Sequence, residues 1–201
     1  MVQNFMGTSK LALVDVWTVA LDLARPLWLT EEESSRAARF RFERDRLRWG
    51  NARSALRAVL GGELGVAPLD VQFTFGPHGK PAVAGVEFNI SHSREWAMIA
   101  VAGAIPVGVD IEAIREDVDI AKLLARIGEP GLEGSTKELF HAWTRREAKT
   151  KALGMPLMEI PLGDVRSIDI EAPAGFAASV ALEGWEPVVR RQLTSALLDR
   201  D

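Results

Sequence analysis

The alternation of apolar and polar residues predicts most of the strands in this chain. Residues 11–23 carry valines that alternate with other side chains, and 71–75 alternate more regularly still, which is the period of a half-buried strand. Further strands are predicted, in chain order, at 86–90, 96–101, 107–112, 165–170, 175–182 and 186–190.

Capping signals predict the helices. Thr30 followed by Glu33, and Ser135 followed by Glu138, have the form of a capping box, in which side chains satisfy backbone N–H groups at a helix start. We predict one helix that starts at Thr30 and continues through 34–38, and others over 43–60 (ended by Gly61-Gly62), 117–127 and 135–153.

The order of these elements suggests two similar halves. A strand, two helices and three strands occur twice, with a break near 103–106. No residue-level identity relates the two stretches, so only the element order is repeated. We therefore expect an α+β fold in which an N-terminal half, 1–103, and a C-terminal half, 104–201, form one pseudo-duplicated domain. The site is expected at their interface, because clefts between such halves commonly bind ligands.

The composition removes several functional classes. The chain has 201 residues, no cysteine and a formal net charge of −4, which excludes disulfides and cysteine-rich zinc sites and argues against general nucleic-acid binding. It shows no apolar run that could span a membrane and no signal-peptide layout at its N-terminus. We expect a cytoplasmic monomer with neither a membrane nor a nucleic-acid partner.

Two carboxylates in one apolar strand are the first candidate for chemistry. Asp110 and Glu112 lie two residues apart, so both side chains should project from the same face of the strand. Adjacent carboxylates repel each other unless a cation or a proton lies between them, and hard oxygen ligands suit magnesium. The spacing alone equally fits two solvent-facing residues on a half-exposed strand.

A second candidate lies on the helix predicted over 135–153. Glu147 and Lys151 are four residues apart and therefore share one helix face. Trp143 and Leu139 continue that face, which places the pair beside an apolar surface. Taken alone, the pair also has the form of an ordinary surface ion pair.

A concentration of arginine is the third candidate. Guanidinium groups bind phosphate through paired hydrogen bonds, which would make this segment a phosphate site in an otherwise acidic protein. The glutamates at 31–33 and 43 would instead pair with several of these arginines on a solvated face, and both interpretations remain open. The residues are Arg36, Arg39, Arg41, Arg44, Arg46 and Arg48.

Taken together, these motifs resemble those of a known enzyme family. In order and rough separation they are similar to the motifs of the 4′-phosphopantetheinyl transferases of the surfactin-synthetase (Sfp) type. The resemblance runs from about Arg36 to Leu157, and four motifs in register are far more specific than any one of them. They are Gly79-Lys80-Pro81, Asn89-Ile90-Ser91-His92-Ser93, Gly108-Val109-Asp110-Ile111-Glu112 and Trp143-Thr144-x-x-Glu147-Ala148-x-x-Lys151-Ala152.

The resemblance implies a fold and a reaction. The fold would be a pseudo-twofold pair of α+β halves. The reaction would transfer 4′-phosphopantetheine from coenzyme A to a serine of an acyl or peptidyl carrier protein, with Mg²⁺, as in secondary metabolism. The product left behind would be adenosine 3′,5′-bisphosphate.

The resemblance also implies roles for individual residues. Asp110, Glu112 and Glu147 would hold magnesium. Asp110, Glu147 and Lys151 would be catalytic: Glu147, or a water beside it, would be the base for the serine, and Lys151 would meet the charge on the departing phosphate. The adenosine end of the cofactor would be bound by Arg44, Lys80, Ser91 and His92, with Arg36 and Arg39.

The sequence departs from the family pattern at three places. Arg94 stands where glycine is usual, and the linker between Glu112 and Trp143 lacks the expected pair of phenylalanines. After Lys151 the sequence continues as Gly154-Met155-Pro156-Leu157, where a second glycine is usual. Two alternatives remain: a non-catalytic module that binds coenzyme A or a carrier protein, and another magnesium-dependent enzyme acting on a nucleotide pyrophosphate. The first is disfavoured, because none of the metal-site and lysine positions is lost.

Overall fold

The computed structural model describes residues 10–24, 27–76, 80–157 and 163–194. These residues form a mixture of helices and sheets, so the expected α+β fold is confirmed. The first elements are β1 (Leu11–Ala20), α1 (Glu31–Ala37), α2 (Glu43–Leu64), β2 (Thr74–Phe75), β3 (Pro81–Ala82), β4 (Phe88–Ser93) and β5 (Trp96–Val101). The later ones are β6 (Val107–Ala113), α3 (Ile120–Arg126), α4 (Thr136–Leu153), β7 (Val165–Asp169), β8 (Phe176–Glu183) and β9 (Glu186–Thr194).

Two larger sheets organise the molecule. One has four strands in the order β4-β5-β1-β9, and the other has three in the order β6-β8-β7, while β2 and β3 form a separate ribbon. In each larger sheet a hairpin pairs with one further strand: β4-β5 lies beside β1, and β7-β8 lies beside β6. β9 comes from the C-terminal part of the chain and pairs in parallel with β1. The pseudo-twofold relation and the division at 103/104 stay predictions.

The two larger sheets share a buried core. Val14 and Val16 of β1 belong to the same buried cluster as Val109 and Ile111 of β6, and all four are fully buried. Because successive side chains of a strand point to opposite faces, Trp17 and Val19 of β1 lie on the other face of the sheet, in a second buried cluster. The sheets therefore face each other across a core that lies directly beneath β6.

Helices cover the outer faces of the sheets. Leu56 and Leu60 of α2 are buried with Trp17 and Val19 of β1. α4 packs on β6 and β8, and α3 packs against α4 through a smaller apolar cluster. Within the described part of the chain, no helix has the length and apolar character needed to cross a membrane.

Both predicted capping boxes are present. Thr30 and Glu33 hydrogen bond to each other's backbone N–H at the start of α1, and Ser135 and Glu138 do the same for α4. These signals are correct because they depend only on residues within one helical turn.

Several boundaries differ from the predictions. α2 does not stop at Gly61-Gly62 but continues to Leu64, and Gly65 ends it in the left-handed conformation at φ 69°. Close packing explains the glycine at position 61, because a Cβ there would lie 2.8 Å from the carbonyl oxygen of Val66. The strand predicted over 71–75 shortens to β2, the first strand ends at Ala20, and β9 extends to Thr194. The helix predicted from 117 begins later, at Ile120, because the Asp119 side chain caps it by accepting the N–H of Lys122 at 3.0 Å.

Candidate active site

Side chains join β4 to β6 across the boundary between the two larger sheets. Ser91 Oγ donates to Asp110 Oδ1 at 2.8 Å, and Ser93 Oγ donates to Glu112 Oε2 at 2.9 Å. Each pair is 19 residues apart in sequence, so β4 and β6 run side by side in constant register. Because residues i and i+2 share a face on both strands, two hydroxyls meet two carboxylates.

Backbone groups complete this contact. Asn89 Oδ1 accepts the N–H of Val109 at 3.0 Å, and Ser93 Oγ accepts the N–H of Ala113 at 3.1 Å. Polar side chains of β4 thus accept backbone N–H groups of β6 that, within a sheet, would bond to the backbone of a neighbouring strand. We call this set the β4–β6 seam: Asn89, Ser91 and Ser93 on β4, with Val109, Asp110, Glu112 and Ala113 on β6.

Lys151 completes the centre of the seam. Its Nζ donates to Asp110 Oδ1 at 2.6 Å and to Ser91 Oγ at 2.9 Å. Asp110 is 2% exposed, and its second oxygen, Oδ2, is buried with no hydrogen-bond partner in the described structure. A buried carboxylate oxygen without a donor is costly, which makes Oδ2 a position where a further cation or donor would be stabilised.

Glycine at position 108 brings α4 to the seam. A Cβ built on Gly108 would lie 1.9 Å from the carbonyl oxygen of Ala148 and 2.5 Å from the backbone nitrogen of Ala152. The helix backbone therefore rests directly on β6, and any side chain at position 108 would push it away. This close approach places Glu147 and Lys151 beside the β6 carboxylates.

Two glutamates of the site have a raised pKa. Burial raises the pKa of Glu112, and the charge of Asp110 raises it further, against the hydrogen bond from Ser93 and the charge of Lys151. Burial and then the charge of Asp110 likewise raise the pKa of Glu147, against Lys151. Three carboxylates thus lie within each other's field, with the Lys151 ammonium among them and the Arg115 guanidinium acting on Glu112, so the site still favours additional positive charge.

The opposite face of β4 borders a cavity of about 390 Å³. Ile90 and His92 line it, whereas Ser91 and Ser93 face the seam. Burial and the charge of Lys151 lower the pKa of His92. We call this space the arginine cavity; its lining includes Arg36, Arg53, Arg57, Trp49, Phe73, Phe75 and Pro81.

Cations in the arginine cavity are held over aromatic rings. The Arg53 guanidinium lies 3.8 Å from the centroid of the Phe73 ring, and that of Arg36 lies 5.4 Å from the centroid of a Trp49 ring. Such contacts position a guanidinium while leaving its N–H groups able to reach an anion.

Glu33 neutralises part of this charge. Buried Arg57 donates to Glu33 at 2.7 and 3.0 Å and to the carbonyl oxygens of Pro68 and Val71, each at 3.0 Å. Arg53 also donates to Glu33. Burial alone would raise the pKa of Glu33, but the hydrogen bonds from Arg57, the Thr30 backbone and Arg53 lower it to about 2.

The predicted phosphate-binding arginines divide into two groups. Arg36 lines the cavity, while Arg39 and Arg44 do not. Arg44 is largely exposed and lies 3.7 Å from Asp45. Arg46 forms an ion pair with Glu43 at 2.5 Å, as the interpretation of a solvated, paired face predicts. Arg48 pairs with Asp22 at 2.5 Å instead. The assignment of Arg39 and Arg44 to the cofactor stays a prediction.

Sequence reasoning missed Arg53 and Arg57. A signal was present, since Trp49, Arg53 and Arg57 recur every four residues and so share one face of α2. This face lies beyond the dense run of arginines at 36–48, so the run itself does not indicate it. The sequence motif contains Asn89 and Ser93, but their contacts with β6 appear only in the structure.

Lys80 contacts the last turn of α4 and does not line the arginine cavity. Its Nζ donates to the carbonyl oxygen of Lys151 at 2.9 Å, and it lines a different cavity, of about 270 Å³, together with Gly154. Burial lowers its pKa, against the charge of Glu87. Lys80 therefore ties the segment before β3 to the last turn of α4, and its role in cofactor binding stays a prediction.

The chemistry of the seam suits a hard divalent cation. Asp110, Glu112 and Glu147 offer carboxylate oxygens, one of which is buried without a partner. Among the residues that the structure describes, however, no three acidic, histidine or cysteine side chains are arranged to hold a metal ion, and the Lys151 ammonium lies 2.6 Å from Asp110 Oδ1. The metal ligands stay a prediction.

Comparison with known proteins supports the same family. Residues 17–104 match the family model described as 4′-phosphopantetheinyl transferase, N-terminal. The chain is 29% identical to a 4′-phosphopantetheinyl transferase of Bacillus subtilis, over 75% of this chain and 79% of that protein. It is 26% identical to the transferase Sfp of Bacillus subtilis strain 168, over 73% and 72%. It is also 32% identical to the transferase HetI of Nostoc sp., over 87% of this chain and 90% of the relative, so the chain belongs to the 4′-phosphopantetheinyl transferase family and is an enzyme of that class.

Proposed function

We propose that this enzyme transfers 4′-phosphopantetheine from coenzyme A to a serine of an apo acyl or peptidyl carrier protein, in a magnesium-dependent reaction of secondary metabolism in the cytoplasm. The observation that supports this most is the arrangement around β4, which has an acidic seam on one face and the arginine cavity on the other. A ligand that carries phosphates and a metal ion needs both.

The arginine cavity would take the adenosine end of coenzyme A. Arg36 and Arg53 offer guanidinium groups for the 3′-phosphate, and His92 lies at the border with the seam. The aromatic rings that hold these cations also offer flat apolar surface for the adenine. The pyrophosphate would then lie toward the seam, since β4 separates the two regions by the width of one strand.

At the seam, Asp110, Glu112 and Glu147 would hold magnesium, which neutralises pyrophosphate charge and polarises the attacked phosphorus. Glu147, or a water beside it, would accept the proton of the carrier serine. The serine oxygen would form a bond to the β-phosphorus of coenzyme A as that phosphorus releases adenosine 3′,5′-bisphosphate. Lys151 Nζ would donate to the phosphate that departs.

Mass spectrometry of an apo carrier protein tests the proposal. Incubation with coenzyme A, magnesium and this enzyme should add the mass of phosphopantetheine to the carrier serine, and excess chelator should stop the addition. Turnover of coenzyme A without any gain of carrier mass would contradict carrier modification and favour a different nucleotide-pyrophosphate enzyme.

Two substitutions test the residues. Glu147→Gln and Lys151→Met should each lower turnover by a hundredfold or more, about 3 kcal/mol in barrier. Lys149→Met is the matched control, because Lys149 lies on the same helix but outside the seam. If both site variants kept the control's rate, Glu147 and Lys151 would be an ordinary surface pair.

A further inference from the structure

Ser93 is held by two groups of β6 at once. Its Oγ accepts the N–H of Ala113 at 3.1 Å and donates to Glu112 Oε2 at 2.9 Å. A serine hydroxyl has a single proton to donate. Because a backbone N–H already occupies one lone pair, the proton has a fixed partner in the Glu112 carboxylate.

Glu112 needs such a partner to stay in the site. Its side chain is half-buried, and the nearby charge of Asp110 repels it. A glutamate also has several rotamers, so a free side chain would turn away from Asp110 toward water. The hydrogen bond from Ser93 holds one carboxylate oxygen, and the other can still serve a cation.

Ser93 differs in this respect from Ser91. Ser91 contacts both Asp110 and Lys151, so it belongs to the reacting centre itself. Ser93 contacts only Glu112 and the Ala113 backbone among the hydrogen bonds of the described residues. Of the three candidate metal ligands, the Ser93 hydroxyl contacts Glu112, so a direct effect of this hydroxyl on metal binding acts through Glu112.

We propose that Ser93 is a positioning residue that orients the Glu112 carboxylate toward a divalent cation. The inference rests on the magnesium-dependent function proposed above. Hydrogen-bond partners of metal ligands typically contribute ten- to hundredfold in metal affinity, because they reduce the number of orientations that the ligand can adopt.

A shape-matched pair of variants tests this. Ser93→Thr keeps a hydroxyl, whereas Ser93→Val has nearly the same shape without one, and both residues favour a strand. Calorimetric titration of the free protein with MgCl₂ should show at least tenfold weaker binding for the valine variant than for the threonine variant. Ser167→Ala, on β7 outside the seam, should bind magnesium like the unmodified protein. Ser93→Ala replaces the valine variant should that variant fail to fold.

Kinetics separates positioning from a structural role. The valine variant should need more magnesium for half-maximal turnover while its KM for coenzyme A stays unchanged. Equal magnesium affinity of the threonine and valine variants, with only the melting temperature changed, would overturn the inference and leave the transferase function intact. Weakened magnesium binding in an enzyme that modifies no carrier protein would support the inference and overturn the function.

Discussion

The two faces of β4 place glutamates in opposite surroundings. In the arginine cavity, Glu33 accepts hydrogen bonds from Arg53 and Arg57, and its pKa falls to about 2. At the β4–β6 seam, Glu112 and Glu147 lie near Asp110 and their pKa values rise. The ionised form of a glutamate is thus stabilised in the arginine cavity and destabilised at the seam.

This contrast separates structural charge from charge that can serve a ligand. Arg57 and Glu33 satisfy each other and two backbone carbonyls, so they mainly hold α1, α2 and the loop after α2 together. At the seam, three carboxylates (Asp110, Glu112 and Glu147) outnumber the two cations that act on them, Lys151 and Arg115. A further cation or a proton would balance this surplus of negative charge. The cavity keeps the reverse surplus through Arg36, which suits phosphate.

Removing the central carboxylate should have the largest effect. Asp110→Asn keeps the shape of the side chain but removes the charge that Lys151 contacts and that the proposed metal ion would need, so we expect turnover to fall at least a thousandfold, about 4 kcal/mol in barrier. Carrier modification measured by mass spectrometry gives the rate. Asp164→Asn, at an exposed aspartate that is paired with Arg166, controls for the loss of one charge, and equal rates in the two variants would remove Asp110 from the site.

Acidification should reduce the contribution of Glu33 to the free energy of unfolding and increase that of Glu147. The folded-state pKa of Glu33 is about 2 against an ordinary value of 4.5, so its stabilisation is complete above pH 4.5 and is lost as the pH falls toward 2. The loss amounts to at most about 3 kcal/mol. Glu33→Gln should be destabilised at neutral pH and lose less on acidification, as measured by urea unfolding between pH 7 and 2.

For Glu147 the raised pKa predicts the opposite dependence of stability on pH. The folded state holds this proton more tightly than the unfolded state, so stability rises as the pH falls through the folded-state pKa toward 4.5. Glu147→Gln should be more stable than the unmodified protein at pH 7, and the difference should shrink in acid. Parallel pH profiles for the Glu33 and Glu147 variants would contradict the contrast between the two regions.

Removing the 3′-phosphate of coenzyme A tests the cavity. The truncated cofactor should bind at least tenfold more weakly, about 1.4 kcal/mol, with a smaller change in turnover at saturation. His92→Ala should weaken binding of intact coenzyme A but barely change binding of the truncated form. Arg44→Ala tests whether Arg44, which lies outside the cavity, binds the 3′-phosphate: if it does, the substitution should weaken binding of intact coenzyme A only. Lys80→Met should change the affinities for both cofactors alike if Lys80 acts through α4. Equal affinity of the unmodified enzyme for both cofactors would contradict the cavity assignment.

The smallest effect is expected at the turn that follows β4. Arg94 adopts a positive φ of 51°, a conformation that costs a non-glycine residue about 1 kcal/mol. Arg94→Gly should therefore raise the free energy of unfolding by up to about 1 kcal/mol without changing magnesium affinity. Thermal unfolding measures the change in stability, and calorimetric titration measures the magnesium affinity. A loss of magnesium affinity would show that this turn helps to orient the seam.

The sequence alone determined the features that depend on near neighbours. It placed Asp110 and Glu112 on one face of a strand and Glu147 and Lys151 on one face of a helix, and it located both capping boxes. Each follows from the repeat of a single element. The resemblance to the transferase family, which the comparisons confirm, then connected elements that no local pattern could join.

Only the tertiary structure decided which of these elements meet. Ser91 and Lys151 are 60 residues apart in sequence, and Lys80 and the Lys151 carbonyl are 71 apart, so no periodicity relates them. The reason Gly108 must be glycine is the backbone of α4, and the reason Glu33 stays ionised is a pair of arginines on another helix. Such contacts arise from how the sheets and helices pack, because charge and burial act through space and not along the chain.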